Sequence, residues 1–404
     1  MSAVAEAPMV GTFDDRLARR NAIVLAVTQA LAGGNNIVIH ATTAIIGAMI
    51  APDRGLATLP ISVYVVGLWL GTMPVGMLAR RYGRRTAFQV GTLFGVACGL
   101  INCLSVLEGS FLLFNLGAFC GGFYAAGHQA YRFAAADTAS DAFRPKAIAW
   151  VLVGGIAAGI LGPQVVIFTK DLWPPYLFAA TFIAQSVFAV LAACVLMLVN
   201  IPKPPRTAGR DGRPMREILR QPRFVVAIAC GVASYAVMNM MMTSAPLAMV
   251  ECHHSVTDAT LGIQWHVMAM YVPSFITGGL IARFGVERIV GVGLALLLLS
   301  AITGMSGTTL WHFYTSLILL GVGWNFGFIG ATSMVTECHR STERTRVQAF
   351  NDFVIFGTMA VGSFASGKML ALFGWAFVNQ VVVPVVLVVA IILVWHVRTR
   401  RRAA

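Results

Sequence analysis

The chain has 404 residues, of which 58% are apolar and only 11% charged, and its mean hydropathy is +0.78. A soluble domain carries about 25% charged residues, so there are too few charges here to coat a water-facing surface, and a soluble enzyme, a secreted disulfide scaffold and a disordered chain are excluded. The net charge of +13 does not point to nucleic acid, because the basic residues are scattered between long apolar runs rather than gathered on one face.

A helix needs about 20 mostly apolar residues to cross a bilayer. Arg16, Arg19 and Arg20 precede a first run at about 22–46. That run exceeds the apolar core of about 7–15 residues in a cleaved signal, so it reads as an uncleaved span. Further spans are predicted at about 57–79, 87–107, 111–134, 147–168 and 176–199. A polar stretch rich in Pro and Gly follows at 201–223, with a short amphipathic helix expected around Met215–Arg220. Six more runs lie at about 224–248, 259–282, 289–306, 312–335, 347–371 and 380–397. The fold class is therefore an all-α membrane protein with twelve transmembrane helices. They divide into an N-terminal six-helix bundle (1–200), a cytoplasmic linker (201–223) and a C-terminal six-helix bundle (224–404).

Charge placement supports the count. With both termini in the cytoplasm, only Arg54, Lys170 and Lys368 of the 29 Lys and Arg fall on the outer side. Such asymmetry over short loops is the positive-inside pattern of a multi-pass protein, here assigned to a bacterial inner membrane. The seven Cys are odd in number and lack metal-ligand spacing, so no metal, disulfide or other cofactor is expected.

The halves also repeat. Asp137, Arg144, Lys146, Ala149 and Gly162 recur 200 positions later as Glu337, Arg344, Arg346, Ala349 and Gly362. Gly76, Leu78, Arg81 and Gly83 recur about 202 positions later as Gly278, Leu280, Arg283 and Gly285. Parallel repeats of this kind place a substrate between the halves near the midplane.

The segment Gly76-Met77-Leu78-Ala79-Arg80-Arg81-Tyr82-Gly83-Arg84-Arg85 resembles the signature loop of the major facilitator superfamily, with a degenerate copy at Gly278–Gly285. The resemblance implies a twelve-helix carrier that works by alternating access, with Gly76, Arg81, Gly83 and Arg84 latching the cytoplasmic gate. The family's loop acid is Arg80 here, and Asp137 and Glu337 are candidates to replace it. Ala158–Pro163, with Gly162 and Pro163, resembles the family's antiporter motif but lacks the two glycines after the proline. Gly154, Ala158 and Gly162 are equally a small-residue stripe for close helix packing.

Polar groups at membrane depth are the candidate site, because they are costly unless they face the bundle interior. Asn35 and Asn36 lie halfway along span one, and Asn239, the repeat equivalent of Asn36, halfway along span seven. Trp324 and Asn325 lie halfway along span ten. In the family, spans one, four, seven and ten line the cavity. His128 and Gln129 near the inner end of span four, and Gln264 and His266 in span eight, complete the expected substrate-binding set. His40 is weighted toward a structural hydrogen bond, and the Met238–Met242 run toward either a pliable cavity wall or a lipid face. Asp352 is the one carboxylate clearly inside a span. It is read either as a proton-coupling site or as an anchor at a helix N-terminus.

The cavity would thus offer amides, imidazoles and aromatics with few charges. It suits a neutral or weakly charged organic solute carried with or without protons. Bacterial vitamin uptake proteins of the superfamily, riboflavin transporters among them, are similar in outline, on composition rather than on a motif. Proton-driven multidrug efflux is the alternative, weakened by the absence of an arginine in Phe111–Gly122. A non-transporting receptor is a third reading. The expected partners are a small molecule, protons and the lipid bilayer, with no nucleic acid, and the chain is expected to act as a monomer.

Overall fold

In a bilayer core no water satisfies backbone N–H and C=O groups, so a chain this apolar must form helices that bond internally. The computed structural model describes residues 15–140, 143–201, 212–340 and 343–403. Among them the regular structure is helical, with no strand. The first half contains α1 (Asp15–Ile50), α2 (Leu59–Tyr82), α3 (Arg84–Glu108), α4 (Phe111–His128), the short α5 (Tyr131–Ala136), α6 (Arg144–Thr169) and α7 (Ala179–Leu196). The second contains α8 (Met215–Leu219), α9 (Pro222–Glu251), α10 (Val256–Tyr271), α11 (Ser274–Phe284), α12 (Val286–Ser306), α13 (Leu310–Thr336) and α14 (Arg344–Ala403). Of the linker expected at 201–223, residues 202–211 lie outside the described residues, and the expected amphipathic turn is α8.

Nine of the described helices are long and apolar enough to cross a membrane, and α10 with α11, bent by 41°, makes a tenth candidate. Two elements explain the difference from the twelve spans expected. At 60 residues α14 would run about 90 Å if straight, but non-helical backbone at Gly374 divides it into two arms. Span four is broken as well: α4 has 18 residues and stops at His128, and α5 continues after a turn.

The repeat is visible in the packing. In the first half α1 lies on α6, α2 on α4, α3 on α4, and α3 on α7. The second half reproduces each pairing as α9 on α14, α10 on α13, α12 on α13, and α12 on α14. The halves meet through α2 against α14, α6 against α10, and α1 against α9.

Small residues set how closely these helices approach. A Cβ on Gly154 would lie 2.1 Å from the Ala26 carbonyl oxygen, and one on Gly162 would lie 2.7 Å from the Gly34 carbonyl oxygen. The stripe Gly154, Ala158 and Gly162 is therefore the packing face of α6 on α1. Gly83 (φ 95°) and Gly285 (φ 87°) occupy left-handed backbone that reverses α2 into α3 and α11 into α12. Gly76, expected to allow close approach, has nothing within 4 Å of where its Cβ would be, as have Gly278 and Gly279. In this conformation the turn glycines of the loop are used and the packing glycines are not.

Buried amides act as internal braces. Asn21 donates from Nδ2 to the Asn200 carbonyl at 2.8 Å and accepts from its N–H at 3.0 Å. The break between α10 and α11, where Pro273 has no N–H to offer, is spanned by Asn325. Its Nδ2 donates to the Met270 carbonyl and to Ser274 Oγ, and its Oδ1 accepts from Thr277 Oγ1, each at 2.6 Å.

The two described termini lie at the same end of the bundle as the ion pairs. Arg84 pairs with Asp137 at 2.9 Å, Arg223 with Glu287 and Glu337 at 2.7 Å each, and Arg400 with Glu287 at 3.1 Å. Asp137 and Glu337, the candidates to replace the loop acid, thus each bind an arginine of their own half. At the end of the linker Arg213 grips the buried Glu343 through Nε at 3.0 Å and a terminal nitrogen at 2.8 Å. The Arg213 guanidinium and the Arg340 N–H hold the Glu343 carboxyl well below the usual carboxylate range.

A carboxyl depressed on folding contributes stability above its unfolded pKa of about 4.3 and loses it as pH falls through the folded value. This contribution should be constant between about pH 5 and 8 and decline only below about pH 4. Glu343→Gln should lower the melting temperature at pH 7 and flatten its fall in acid. Melting curves of both proteins in detergent from pH 3 to 8 test this.

Candidate functional site

A cavity opens between the halves. From the first half α1 contributes Gln29, Gly33, Asn36, Ile37 and His40, and α2 contributes Tyr64 and Leu68. The end of α4 adds His128 and Gln129, and α6 adds Gly155 and Ala158. From the second half come Tyr235, Met238, Asn239 and Met242 of α9, Val267, Met270 and Tyr271 of α10, and Met359 of α14. The space between these walls is about 670 Å³, mouth included. In this conformation the cavity is a slot rather than a chamber.

The slot is polar without formal charge. No Asp, Glu, Lys or Arg is among its described lining residues. Asn36 accepts a short hydrogen bond at Oδ1 from the Tyr64 hydroxyl, and its backbone carbonyl pairs with His40 Nδ1 at 3.0 Å. The rings of His40 and Tyr64 meet edge to face at 5.3 Å. Asn239 is buried, and its Nδ2 has no partner among the described residues. His128 is also buried, with both ring nitrogens unpartnered. Buried polar groups are normally satisfied, so each of these costs about 1–3 kcal/mol unless something in the cavity fills it.

The sequence-predicted residues therefore separate into two sets. Asn36, His128, Gln129 and Asn239 come together in the lining, joined by His40 and by Met238 and Met242 of the methionine run. Asn35, turned toward α7 rather than the slot, exchanges hydrogen bonds with Gln185 at 2.8 to 3.1 Å. Gln264 accepts from Gln164 Nε2 at 2.9 Å, tying α10 to α6 across the halves. His266 Nδ1 pairs with the Leu317 carbonyl at 2.8 Å. Asn325 braces the α10–α11 break. Trp324 stacks on Phe328 at 5.2 Å and backs Tyr235, whose ring meets it edge-on at 5.5 Å. These five are outside the described lining.

Asp352 is half-buried two turns into α14 and accepts from Asn351 Nδ2 at 3.2 Å. Arg132 and Tyr235 lie within electrostatic reach of it. That depth sets aside the helix-end anchor. Among the gating candidates, Arg84 pairs with Asp137, Arg81 lies 5.3 Å over the Tyr82 ring, and Pro163 sits inside an unbroken α6.

Sequence reasoning missed Tyr64, Tyr235 and Tyr271. Phenols at membrane depth look like ordinary amphipathic core residues, and the one available signal, Pro273, lies inside the span expected at 259–282, which does not include the break that puts Tyr271 at a helix end. At the end of the bundle remote from the termini the slot is sealed where α2 meets α14. Ser62 Oγ lies 3.3 Å from Ser363 Oγ, and a Cβ on Gly367 would collide with Thr58 Oγ1 at 1.6 Å.

The profile of the Major Facilitator Superfamily matches residues 25–275 and 228–404. The chain belongs to the major facilitator superfamily. It is 46% identical over 394 residues, 97% of its length and 99% of the relative's, to a protein named riboflavin transporter RfnT from Brucella anthropi. It is 28% identical over 384 residues, 88% of its length and 86% of the relative's, to the uncharacterized transporter YdeG of Bacillus subtilis. Two solved structures share the fold. The POT family transporter PepTSo aligns with a TM-score of 0.74 at 11% identity, over 96% of this chain and 99% of that one. The nucleoside transporter NupG aligns with a TM-score of 0.71 at 13% identity, over 94% and 99%. The superfamily consists of transporters, so this chain is a multi-pass membrane transporter and not an enzyme.

The two asparagines of the slot and the one beside it differ in what their removal costs. Asn35→Ala removes two buried hydrogen bonds to Gln185, one to its Nε2 and one to its backbone carbonyl, at a cost of about 1–3 kcal/mol, whereas Asn239→Ala removes an unpartnered group. The melting temperature in detergent should fall for Asn35→Ala and hold or rise for Asn239→Ala. Equal losses in both would contradict this division.

Proposed function

We propose that this transporter carries riboflavin, or a flavin close to it, across the bacterial inner membrane by alternating access. The observation that carries the reading is the 46% identity along almost the whole of both chains to a protein named a riboflavin transporter. The slot supports it independently. It offers amides, imidazoles, phenols and thioethers but no formal charge, which suits a neutral, flat, hydroxylated solute. Multidrug efflux draws less support, because Ala158 and Gly162 of the Ala158–Pro163 segment that suggested it are engaged in packing α6 on α1.

The remaining parts of the reading follow from the same arrangement. α4 and the two arms of α14, added to the other candidate spans, give twelve crossings. The sequence pattern assigns all but three of the Lys and Arg to the side of the termini, so that side faces the cytoplasm. Residues 1–200 and 224–404 act as the two rocking halves, joined by 201–223, and the loop residues Gly76, Arg81, Gly83 and Arg84 act in gating. One chain supplies both halves, so a monomer suffices. The substrate contacts Asn36, His128, Gln129 and Asn239. Asp352, the one span carboxylate near the slot, couples uptake to protons.

Expression in a riboflavin-requiring bacterium lacking its own carrier should restore growth on low riboflavin and saturable uptake of labelled riboflavin. Asn36→Ala and Asn239→Ala should each reduce that uptake at least tenfold at unchanged membrane abundance. No rescue by the wild type would remove the flavin assignment. Asp352→Asn should abolish the dependence of uptake on external pH. A profile parallel to wild type would remove Asp352 from the coupling step.

A further inference from the structure

The two asparagines related by the internal repeat present different hydrogen-bonding faces to the slot. Asn36 already accepts at Oδ1 from the Tyr64 hydroxyl, so its oxygen keeps one lone pair beside the Nδ2 donors. Asn239 has no side-chain partner among the described residues, and its Nδ2 is completely shielded from water. A primary amide with both atoms free is self-complementary to one kind of edge, a ring C=O beside a ring N–H, which it meets with two parallel hydrogen bonds. The symmetry of the repeat is thus broken chemically: the α9 amide is uncommitted, and the α1 amide is committed in part to Tyr64.

We propose that Asn239 is the specificity-determining residue of the slot and recognises the cyclic imide edge of the solute through paired hydrogen bonds, while Asn36 is engaged in part by Tyr64. This rests on the transport reading above and deepens it, since a flavin ring carries such an edge, with an N–H between two carbonyls. The surroundings fit a flat ring held by that edge. Met238 and Met242 flank Asn239 on α9 with deformable apolar surface, and the Tyr235 and Tyr271 rings stand in the same wall. A site that hydrogen-bonds a group discriminates against the analogue lacking it far more strongly than an apolar pocket discriminates by shape, because its own polar atoms are left unpaired.

The test is a binding titration on the purified full-length protein with four probes: riboflavin, 3-methylriboflavin, lumiflavin and 3-methyllumiflavin. The methyl group replaces the hydrogen of the one ring N–H of each parent, and lumiflavin keeps the ring edge without the sugar-alcohol chain. The wild type should bind each parent at least tenfold more tightly than its methylated partner. Asn239→Ala should bind parent and methylated probe alike. Tyr64→Phe, which frees the Asn36 oxygen, should keep the preference. Equal binding of parent and methylated probes by the wild type would overturn the proposal, as would an intact preference in Asn239→Ala. A wild type that prefers lumiflavin over its methylated form through Asn239, yet neither binds nor transports riboflavin, supports the edge recognition and removes the riboflavin transport reading alone.

Discussion

The absence of water from the bilayer core governs this structure. Every polar group carried into the span must find a partner there or face a cavity that supplies one. The backbone meets that demand by forming helices. The side chains meet it one at a time, and the way each does so reveals its use. Asn21 with Asn200, Asn35 with Gln185, and Ser300 with Ser316 are closed exchanges inside the protein. Asn239 and His128 are not closed, and both stand in the wall of the slot. Unmet hydrogen-bonding capacity is not confined to the slot, since Gln185 Oε1 and His266 Nε2 are also unpartnered among the described residues; it marks Asn239 and His128 because they stand in the wall as well.

The same constraint explains how much of the molecule can be read from its sequence. The helices were legible because a span must be long and apolar, and the expected boundaries fall within a few residues of those found. Span four was harder to delimit: Gln129 and Ala130 carry no strong helix-breaking signal, so the stop at His128 does not show as a gap in the apolar pattern. The packing partners of the halves were legible through the offset of about 200 residues. The site was legible only in part. A sequence gives the depth of Asn35, Asn36, Asn325 and Trp324 but not their azimuth. Asn35 and Asn36 are adjacent, so they point about 100° apart on the helix, and one braces α7 while the other faces the slot. His40 had the opposite history: a lone histidine looked structural, and its proximity to Tyr64 became evident only once α1 and α2 were side by side.

The methionine run shows where composition alone is ambiguous. Thioethers suit both a lipid face and a pliable wall, and nothing in five consecutive residues with a single polar member separates the two. In the fold the whole of Met238–Met242 is buried, with Met238 and Met242 reaching the slot on either side of Asn239. Unbranched side chains there can follow a ring that enters at a slightly different angle, while the amide fixes its register. Pliability and precision are supplied by neighbours on one helix.

The halves are alike in packing and unlike in stiffness. α2 runs unbroken through Pro74, whereas its counterpart splits into α10 and α11 at Pro273. In the split helix the backbone bonds lost at the break are replaced by side-chain bonds from Asn325, an external brace on α13. Bending there disturbs three side-chain contacts and one long backbone bond, from the Phe275 N–H to the Val272 carbonyl at 3.4 Å, and interhelical side-chain bonds average only about 0.6 kcal/mol each in membranes. Tyr271, the last residue of α10, projects into the slot at that point. A seal of Ser62, Thr58, Ser363 and Gly367 closes the far end while this weak point lies beside the slot. The stiff half therefore fixes Asn36 and Tyr64 as a rigid reference, and the half with the break carries the groups whose distance to it can change.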